Sequence, residues 1–349
     1  MKRICMILPS FTARGGIASV ARGYQGSALE EKYQMHYIET YCDGGKGAKL
    51  WKAVSAYAAF LKELLFCKPY LIHIHSSFGA SFYRKLPFVW LASWLHIPVV
   101  NHIHGSEFSR FFREAPAWEK KIKRKTFSMC DAVVVLTEQW RQEFSEMIDV
   151  SKTAVIPNYA KLRFRSDTGK TVLFLGFLSK LKGCFDIPEI VNLVKEQIPD
   201  VRFVLAGAGE EGDVRQIKSL TEEYGVTENI VFPGWVGEKE KAQELEKAAI
   251  YFLPSYTEGM PMSILEAMGY GLPVVSSNVG GIPQLVTHGE NGLLCEPGDV
   301  HAFAGAIVSL LTDEQRRGRM GQKSFDILQE KYTLEAHITR IACIYDALL

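Results

Sequence analysis

The 349-residue sequence has no C-x-x-C pair, and its seven cysteines are odd in number. Both facts argue against a disulfide framework and a structural zinc site, and fit a reducing, cytoplasmic compartment. Long apolar runs are missing as well. The longest, Phe88 to Val100, contains His96 and Pro98 and falls short of the roughly 20 residues needed to span a bilayer. There is no internal repeat and no low-complexity tract. Net charge is small, +1, but unevenly spread. Residues 1–165 hold 24 Lys+Arg against 13 Asp+Glu, and the remainder 16 against 26. This asymmetry fits either one half that faces an anionic surface or substrate, or two solvated surfaces of different charge.

What is present reads as a soluble globular chain, with 47% hydrophobic and 23% charged residues. Its length favours two domains. Met1-Lys2-Arg3 before Ile4–Leu8 has the look of a signal peptide, but the apolar stretch is short and stops at Pro9, so a first buried strand is expected. Further candidate strands are Leu71–His75, Pro98–His102, Ala132–Leu136, Val172–Gly176, Val201–Ala206, Ile230–Phe232, Ile250–Leu253 and Pro273–Ser276. They are Val-, Ile- and Leu-rich without polar alternation, the pattern of parallel strands covered on both faces. Helical patterns follow most of them, for example Cys184–Gln197, Glu211–Tyr224 and Lys239–Lys247, so an α/β fold is expected. A polar, basic break at Pro157–Lys170 divides the chain into 1–165 and 166–332, two open doubly wound halves. Residues 333–349 read as a final amphipathic helix.

The densest signal runs from Ser255 to Val275. Gly259 permits a tight turn, Pro261 suits a first helical turn and Gly271 a helix end, which puts Glu258 in the loop and Glu266 inside the helix. Loop amides at such a helix start donate to an anionic group such as a diphosphate. Carboxylates suit a sugar or ribose, because each accepts two hydroxyl protons. Two glutamates alone would be an ordinary capped helix; the full Gly-Pro-Gly frame favours a site.

Glu258, seven residues, Glu266 and then Gly271-Leu272-Pro273-Val274-Val275 resemble the E-x7-E motif of retaining glycosyltransferases of family four. The resemblance continues through Gly280-Gly281-Ile282-Pro283, Asn291-Gly292-Leu293-Leu294 and Pro297-Gly298-Asp299. Upstream it includes Leu175-Gly176 with Lys182-Gly183, Gly15-Gly16-Ile17-Ala18, and His102-Ile103-His104-Gly105-Ser106-Glu107. It implies a GT-B fold, two Rossmann-like domains facing a cleft, with the final helix crossing back to the first. The implied reaction moves a hexose-type sugar from a nucleoside diphosphate (UDP favoured, GDP the other choice) with retention. No metal or cofactor is implied, the nucleotide sugar being the substrate.

By the same resemblance Glu258, His104 and Lys182 are the expected catalytic residues. Lys182 faces the leaving phosphate, Glu258 the donor sugar or its developing positive charge, and His104 orients the sugar. Glu266 binds ribose. Gly15, Gly16, Lys180, Gly207, Gly209, Trp235, Val236, Gly259, Met260, Pro261 and Met262 complete the donor-binding set, and Glu107 with Arg110 the acceptor set. The sequence departs from the family pattern at Phe177, where members carry an arginine that would clamp phosphate, and at Gln284, often a glutamate.

Three features compete with this reading. Gly207-Ala208-Gly209-Glu210-Glu211-Gly212 fits the dinucleotide fingerprint G-x-G-x-x-G and raises an NAD(P)-dependent oxidoreductase, but two glutamates stand where a pyrophosphate would sit. A non-catalytic sugar-nucleotide binder is the other alternative. His73, His75, His102 and His104 form two H-x-H pairs, each on one strand face, yet no carboxylate or cysteine spacing supports them, and no metal is expected. The basic stretch Lys120–Lys125 with Trp51, Trp90, Trp94, Phe111, Phe112 and Trp118 suits an anionic membrane surface at the inner face of the plasma membrane. A solvated helix face with core aromatics explains it equally well. The acceptor expected is a saccharide or a polyprenyl-diphosphate-linked saccharide. Nucleic acid is not expected, since no recognition motif accompanies the charge.

Overall fold

The apolar runs become the interiors of two six-stranded parallel sheets. The computed structural model describes residues 1–105, 107–163 and 169–349. Ser106 of the histidine motif and the expected domain boundary at 165/166 lie outside the described residues. Contacts divide the chain into one unit of Met1–Asn158 with Leu334–Leu349, and a second of Tyr159–Thr333.

The first unit contains β1 (Arg3–Leu8), β2 (Gln34–Glu39), β3 (Leu71–Ser76), β4 (Val99–Ile103), β5 (Ala132–Val135) and β6 (Thr153–Val155), ordered β2-β1-β3-β4-β5-β6. β3, β4 and β5 are buried at every residue, as strands covered on both faces must be. The helix Leu334–Leu348 belongs to this unit. It buries His337, Ile338, Ile341 and Tyr345, and Asp346 accepts from the Tyr33 hydroxyl at 2.6 Å.

The second unit contains β7 (Thr171–Leu175), β8 (Arg202–Ala206), β9 (Ile230–Gly234), β10 (Ile250–Leu253), β11 (Val274–Ser277) and β12 (Gly292–Cys295), ordered β12-β11-β10-β7-β8-β9. The chain leaves β7 toward β8 and β9 on one side and returns through β10 to β11 and β12 on the other. The strand order therefore reverses between β7 and β10. In the first unit it reverses between β1 and β3. In open parallel sheets, ligands bind beyond the carboxyl ends of the strands flanking such a switch point.

The strands that the sequence pattern does not announce are β2, β6 and β12, and each is a sheet edge. β2 is mostly half-exposed and carries Gln34, His36 and Glu39. β6 has three residues and β12 four. An edge strand lacks the two-sided burial that produces an apolar run. All seven cysteines are free thiols. No helix among the described residues is long and apolar enough to cross a membrane.

Candidate functional site

In the second unit, the loops leaving β7, β10 and β11 are tied to one another. After β7 the chain makes a short 3-10 turn, Lys180–Lys182. After β10 it runs through Ser255–Pro261 into the helix Met262–Gly269, with Pro261 at the cap position just ahead of the helix. The Tyr256 amide donates to the Leu181 carbonyl at 2.9 Å, and the Gly281 amide to the Gly259 carbonyl at 2.8 Å. Gly280, at φ +54°, is packed so tightly that a Cβ would stand 1.9 Å from the Glu258 carbonyl oxygen.

This stitching places Lys182 and Glu258 together at the switch point. Lys182 Nζ donates to Glu258 Oε1 at 2.5 Å, and Ser255 Oγ donates to the same oxygen at 2.8 Å. Glu258 is buried at 7% exposure, whereas Lys182 keeps 31% of its side chain in solvent. A carboxylate so enclosed requires a charged partner, and the lysine supplies it while remaining reachable from outside. Glu266 lies on the helix and accepts from Lys241 of the helix Glu238–Lys247 at 2.7 Å. Burial by itself would lower the Lys241 pKa; Glu266 and Glu238 outweigh it, and the net direction is up. Sequence reasoning missed Ser255 and Lys241. Lys241 belongs to a highly charged helix in which no single lysine stands out.

The other expected donor residues sit around this pair or farther off. Lys180 is exposed on the same turn, as is Phe177 just before it. Gly259 and Met260 are buried in the loop, and Met262 opens the helix. Trp235 and Val236 follow β9, two strands away from β7, with Trp235 about half exposed. At Gly207 a Cβ would lie 1.7 Å from the Gly176 carbonyl oxygen, and at Gly209 it would lie 2.5 Å from that of Leu178. The apparent dinucleotide fingerprint is thus explained by loop-to-loop packing. The helix after it starts at Glu211 with Glu211 and Asp213 in its first turn, where a pyrophosphate would be repelled.

In the first unit, Gly15 and Gly16 follow β1 and open the helix Gly16–Arg22. His104 follows β4; its ring stacks on His102 at 4.2 Å and its Nε2 shares a 2.8 Å hydrogen bond with His75 Nδ1. Glu107 caps the helix Phe108–Arg113, and Arg110 donates to Glu114 at 2.8 Å with Glu107 3.8 Å away.

The two H-x-H pairs converge, which a strand-by-strand reading could not foresee. β3 and β4 are neighbours with His75 opposite His102, so all four rings fall on one sheet face. His73, His75 and His102 are fully buried, and one ring nitrogen from each lies within 4.8 Å of the others. Four nitrogens find no hydrogen-bond partner: Nε2 of His73, Nε2 of His75 and both of His102. Each such atom costs about 1–3 kcal/mol when left dry. Burial drives the imidazoles toward the neutral form. The pKa falls to about 3 for His73 and for His104, and lies well below the usual value for His75 and His102.

The basic stretch is not uniformly solvated. Lys123 turns inward, donating to the Phe111 carbonyl at 2.6 Å and pairing with Glu119 at 2.7 Å. Of the aromatics singled out with it, Trp51, Trp90, Trp94 and Trp118 are exposed, Phe111 is half-buried and Phe112 buried; Phe66 is exposed as well. The helix Lys46–Lys62 buries only Ala56 and Phe60, and Leu50, Trp51, Val54 and Leu61 stand open on it.

Residues 155–326 match the family model of glycosyl transferases group 1, and residues 17–162 that of glycosyltransferase family 4. A glycosyltransferase of Haemophilus influenzae is 29% identical over 241 residues, 68% of this chain and 67% of that protein. The 2-deoxystreptamine N-acetyl-D-glucosaminyltransferase of Niallia circulans is 27% identical over 272 residues, 70% of this chain and 67% of its own. Among solved structures, the sucrose-phosphate synthase of Thermosynechococcus elongatus superposes with a TM-score of 0.82 at 20% identity, covering 100% of this chain and 99% of that one. Anabaena HepE, in complex with UDP and glucose, gives 0.77 at 18% identity, covering 99% and 100%. These likenesses establish the GT-B fold.

Proposed function

The chain belongs to the glycosyltransferases, its second unit matching group 1 and its first family 4, and from that premise we propose that it moves a hexose-type sugar from a nucleoside-diphosphate donor, UDP before GDP, to a saccharide or lipid-linked saccharide with retention of anomeric configuration. The observation that carries this reading is the Lys182–Glu258 pair at the β7/β10 switch point, with Glu266 eight residues beyond Glu258.

The chemistry follows from the donor and acceptor capacities of these groups. An ammonium has three N–H donors, and Glu258 uses one. The others are available to the oxygens of the departing diphosphate, together with the loop amides ahead of the helix Met262–Gly269. Lys180 is the second cation on the same turn and stands in for the arginine that Phe177 replaces. Glu258, held through Oε1, offers Oε2 to a sugar hydroxyl or to charge developing at the anomeric carbon. Glu266 accepts from ribose hydroxyls, exchanging part of its contact with Lys241. The bond between the anomeric carbon and the phosphate oxygen breaks, the acceptor oxygen bonds to that carbon on the same face, and its proton passes to the released phosphate. This route uses no metal. His104 orients the sugar, Gly15 and Gly16 approach the diphosphate, and Glu107 and Arg110 meet the acceptor.

UDP-, GDP-, ADP- and dTDP-sugars tested by thermal shift, followed by NMR of the anomeric proton in the product, examine the reading directly. A β-configured product from an α-donor would sink the retention. Protection by NAD(P) and by no nucleotide sugar would favour the oxidoreductase. Donor binding without slow donor hydrolysis would leave a non-catalytic binder.

For the acceptor, the exposed Trp51, Phe66, Trp94 and Trp118, together with the basic helix Ala117–Ser128, favour a lipid-linked saccharide at an anionic membrane. Stronger sedimentation with anionic than with neutral vesicles at low salt is expected. Equal partitioning with and without vesicles counts against it.

A further inference from the structure

We propose that His73, His75 and His102 form a buried divalent-metal site, zinc by its ligand set, which cross-links β3 and β4 beneath the helix Leu334–Leu348. The site adjoins His104, which hydrogen-bonds His75 and stacks on His102, and its argument does not rest on the donor chemistry above. Three imidazoles are a recognised zinc set that leaves one coordination position to water. Here an H-x-H pair on one strand supplies two, and the in-register residue of the next strand supplies the third.

The hydrogen-bond pattern is that of ligating histidines. A metal-bound imidazole donates its other ring N–H to a fixed partner, which sets the tautomer and aims the lone pair at the ion. His73 Nδ1 meets the Tyr345 hydroxyl, and His75 Nδ1 meets His104 Nε2 at 2.8 Å. In both rings Nε2 is the nitrogen left without a partner, and His102 adds two more. Three buried imidazoles that each bring a nitrogen within 4.8 Å of the others, every ring having a nitrogen without a partner, suit a cation better than a water, since a single water donates only two hydrogen bonds. The separations are reachable. Ligand nitrogens about 2.0–2.1 Å from a tetrahedral ion stand roughly 3.3 Å apart, so rings with nitrogens within 4.8 Å, stacked with interplanar angles of 13–31°, turn and close by up to about an ångström each to take the ion.

The cover fits a closed site. His337 donates through Nδ1 to the Pro157 carbonyl at 2.8 Å, and its Nε2 is thereby free to accept from the Tyr24 hydroxyl, also at 2.8 Å. His337 stacks near His102, its centroid 5.9 Å away, so the final helix lies over the cluster with its own polar groups engaged.

The test is metal content. The full chain is produced in zinc-supplemented medium, desalted and measured by mass spectrometry of the metal. About one zinc per chain is expected, falling below about a tenth in His73→Gln and in His102→Gln. Protein produced with cobalt is expected to show the visible absorption of low-symmetry Co2+, and prolonged chelation to lower the wild-type Tm. Wild-type protein carrying less than about a tenth of an equivalent overturns the proposal, and so does full zinc in both variants. Where a variant fails to fold, the wild-type zinc content and the cobalt spectrum decide alone. All these readouts are independent of transferase activity.

Discussion

Lys182 and Glu258 are 76 residues apart in sequence and meet at 2.5 Å. The contact joins the turn after β7 to the loop after β10, across the one place in the second sheet where strand order reverses. Replacing Lys182 with methionine keeps the stem and removes the charge. With the donor that gives the largest thermal shift, kcat is expected to fall ~100–1000-fold, the cost of losing a group that stabilises a leaving anion. KM should move far less. A change confined to KM would restrict Lys182 to ground-state binding.

Glu266 and Lys241 form the second charged pair, at 2.7 Å. Glu266→Ala removes the acceptor proposed for ribose and is expected to weaken donor affinity by ~10–100-fold, in line with hydrogen bonds to a charged group. Lys241→Met leaves the carboxylate in place, and a loss of only a few fold is expected. Calorimetric titration with the nucleoside diphosphate alone separates the two. Unchanged affinity in Glu266→Ala would falsify the ribose assignment.

The sequence revealed more of the candidate site in the second unit than in the first, for physical reasons. Gly271, Pro261 and the strands at 250 and 274 are local signals, so the frame around Glu258 and Glu266 was legible. The interior strands β3, β4, β7 and β10 were legible because they are short Val-, Ile- and Leu-rich runs buried on both faces. The partners of the glutamates were not, because Lys241 and Ser255 have no pattern of their own and acquire meaning only through tertiary contact. The histidine cluster needed the β3/β4 register, which sequence spacing does not carry. The edge strands β2, β6 and β12 were lost for want of burial.

Gly280→Ala tests whether the loop stitching matters. Its Cβ would lie 1.9 Å from the Glu258 carbonyl, and φ +54° adds backbone strain for any residue with a side chain. The atom in the way is backbone, so it cannot rotate aside. A loss of about 2–4 kcal/mol is expected, and at roughly 2–4 °C per kcal/mol for a unit of this size Tm should drop by several degrees. Donor protection should be lost with it. A variant with wild-type Tm and wild-type donor protection contradicts the tight approach of the two loops.

Glu63 gives a pH dependence with a definite sign. Arg3 reaches it twice, once through Nη2 to Oε2 at 2.9 Å, and His36 Nε2 stands 3.6 Å from Oε2. Burial alone would raise the carboxyl; Arg3 and His36 overcome that, and the net shift is downward from 4.5. A carboxylate held below its unfolded value stabilises the fold above that value and loses the contribution as pH falls through the folded one. Glu63→Gln does not titrate. The Tm gap between wild type and Glu63→Gln is therefore expected to be full at pH 7, where it corresponds to about 1–2 kcal/mol after screening at the partly exposed Arg3. It should narrow as pH drops below 4.5. The buried histidines titrate alike in both proteins and cancel in the difference. A gap that widens as pH falls below 4.5 would reverse the sign and show that the carboxyl is protonated, not ionised, in the folded chain.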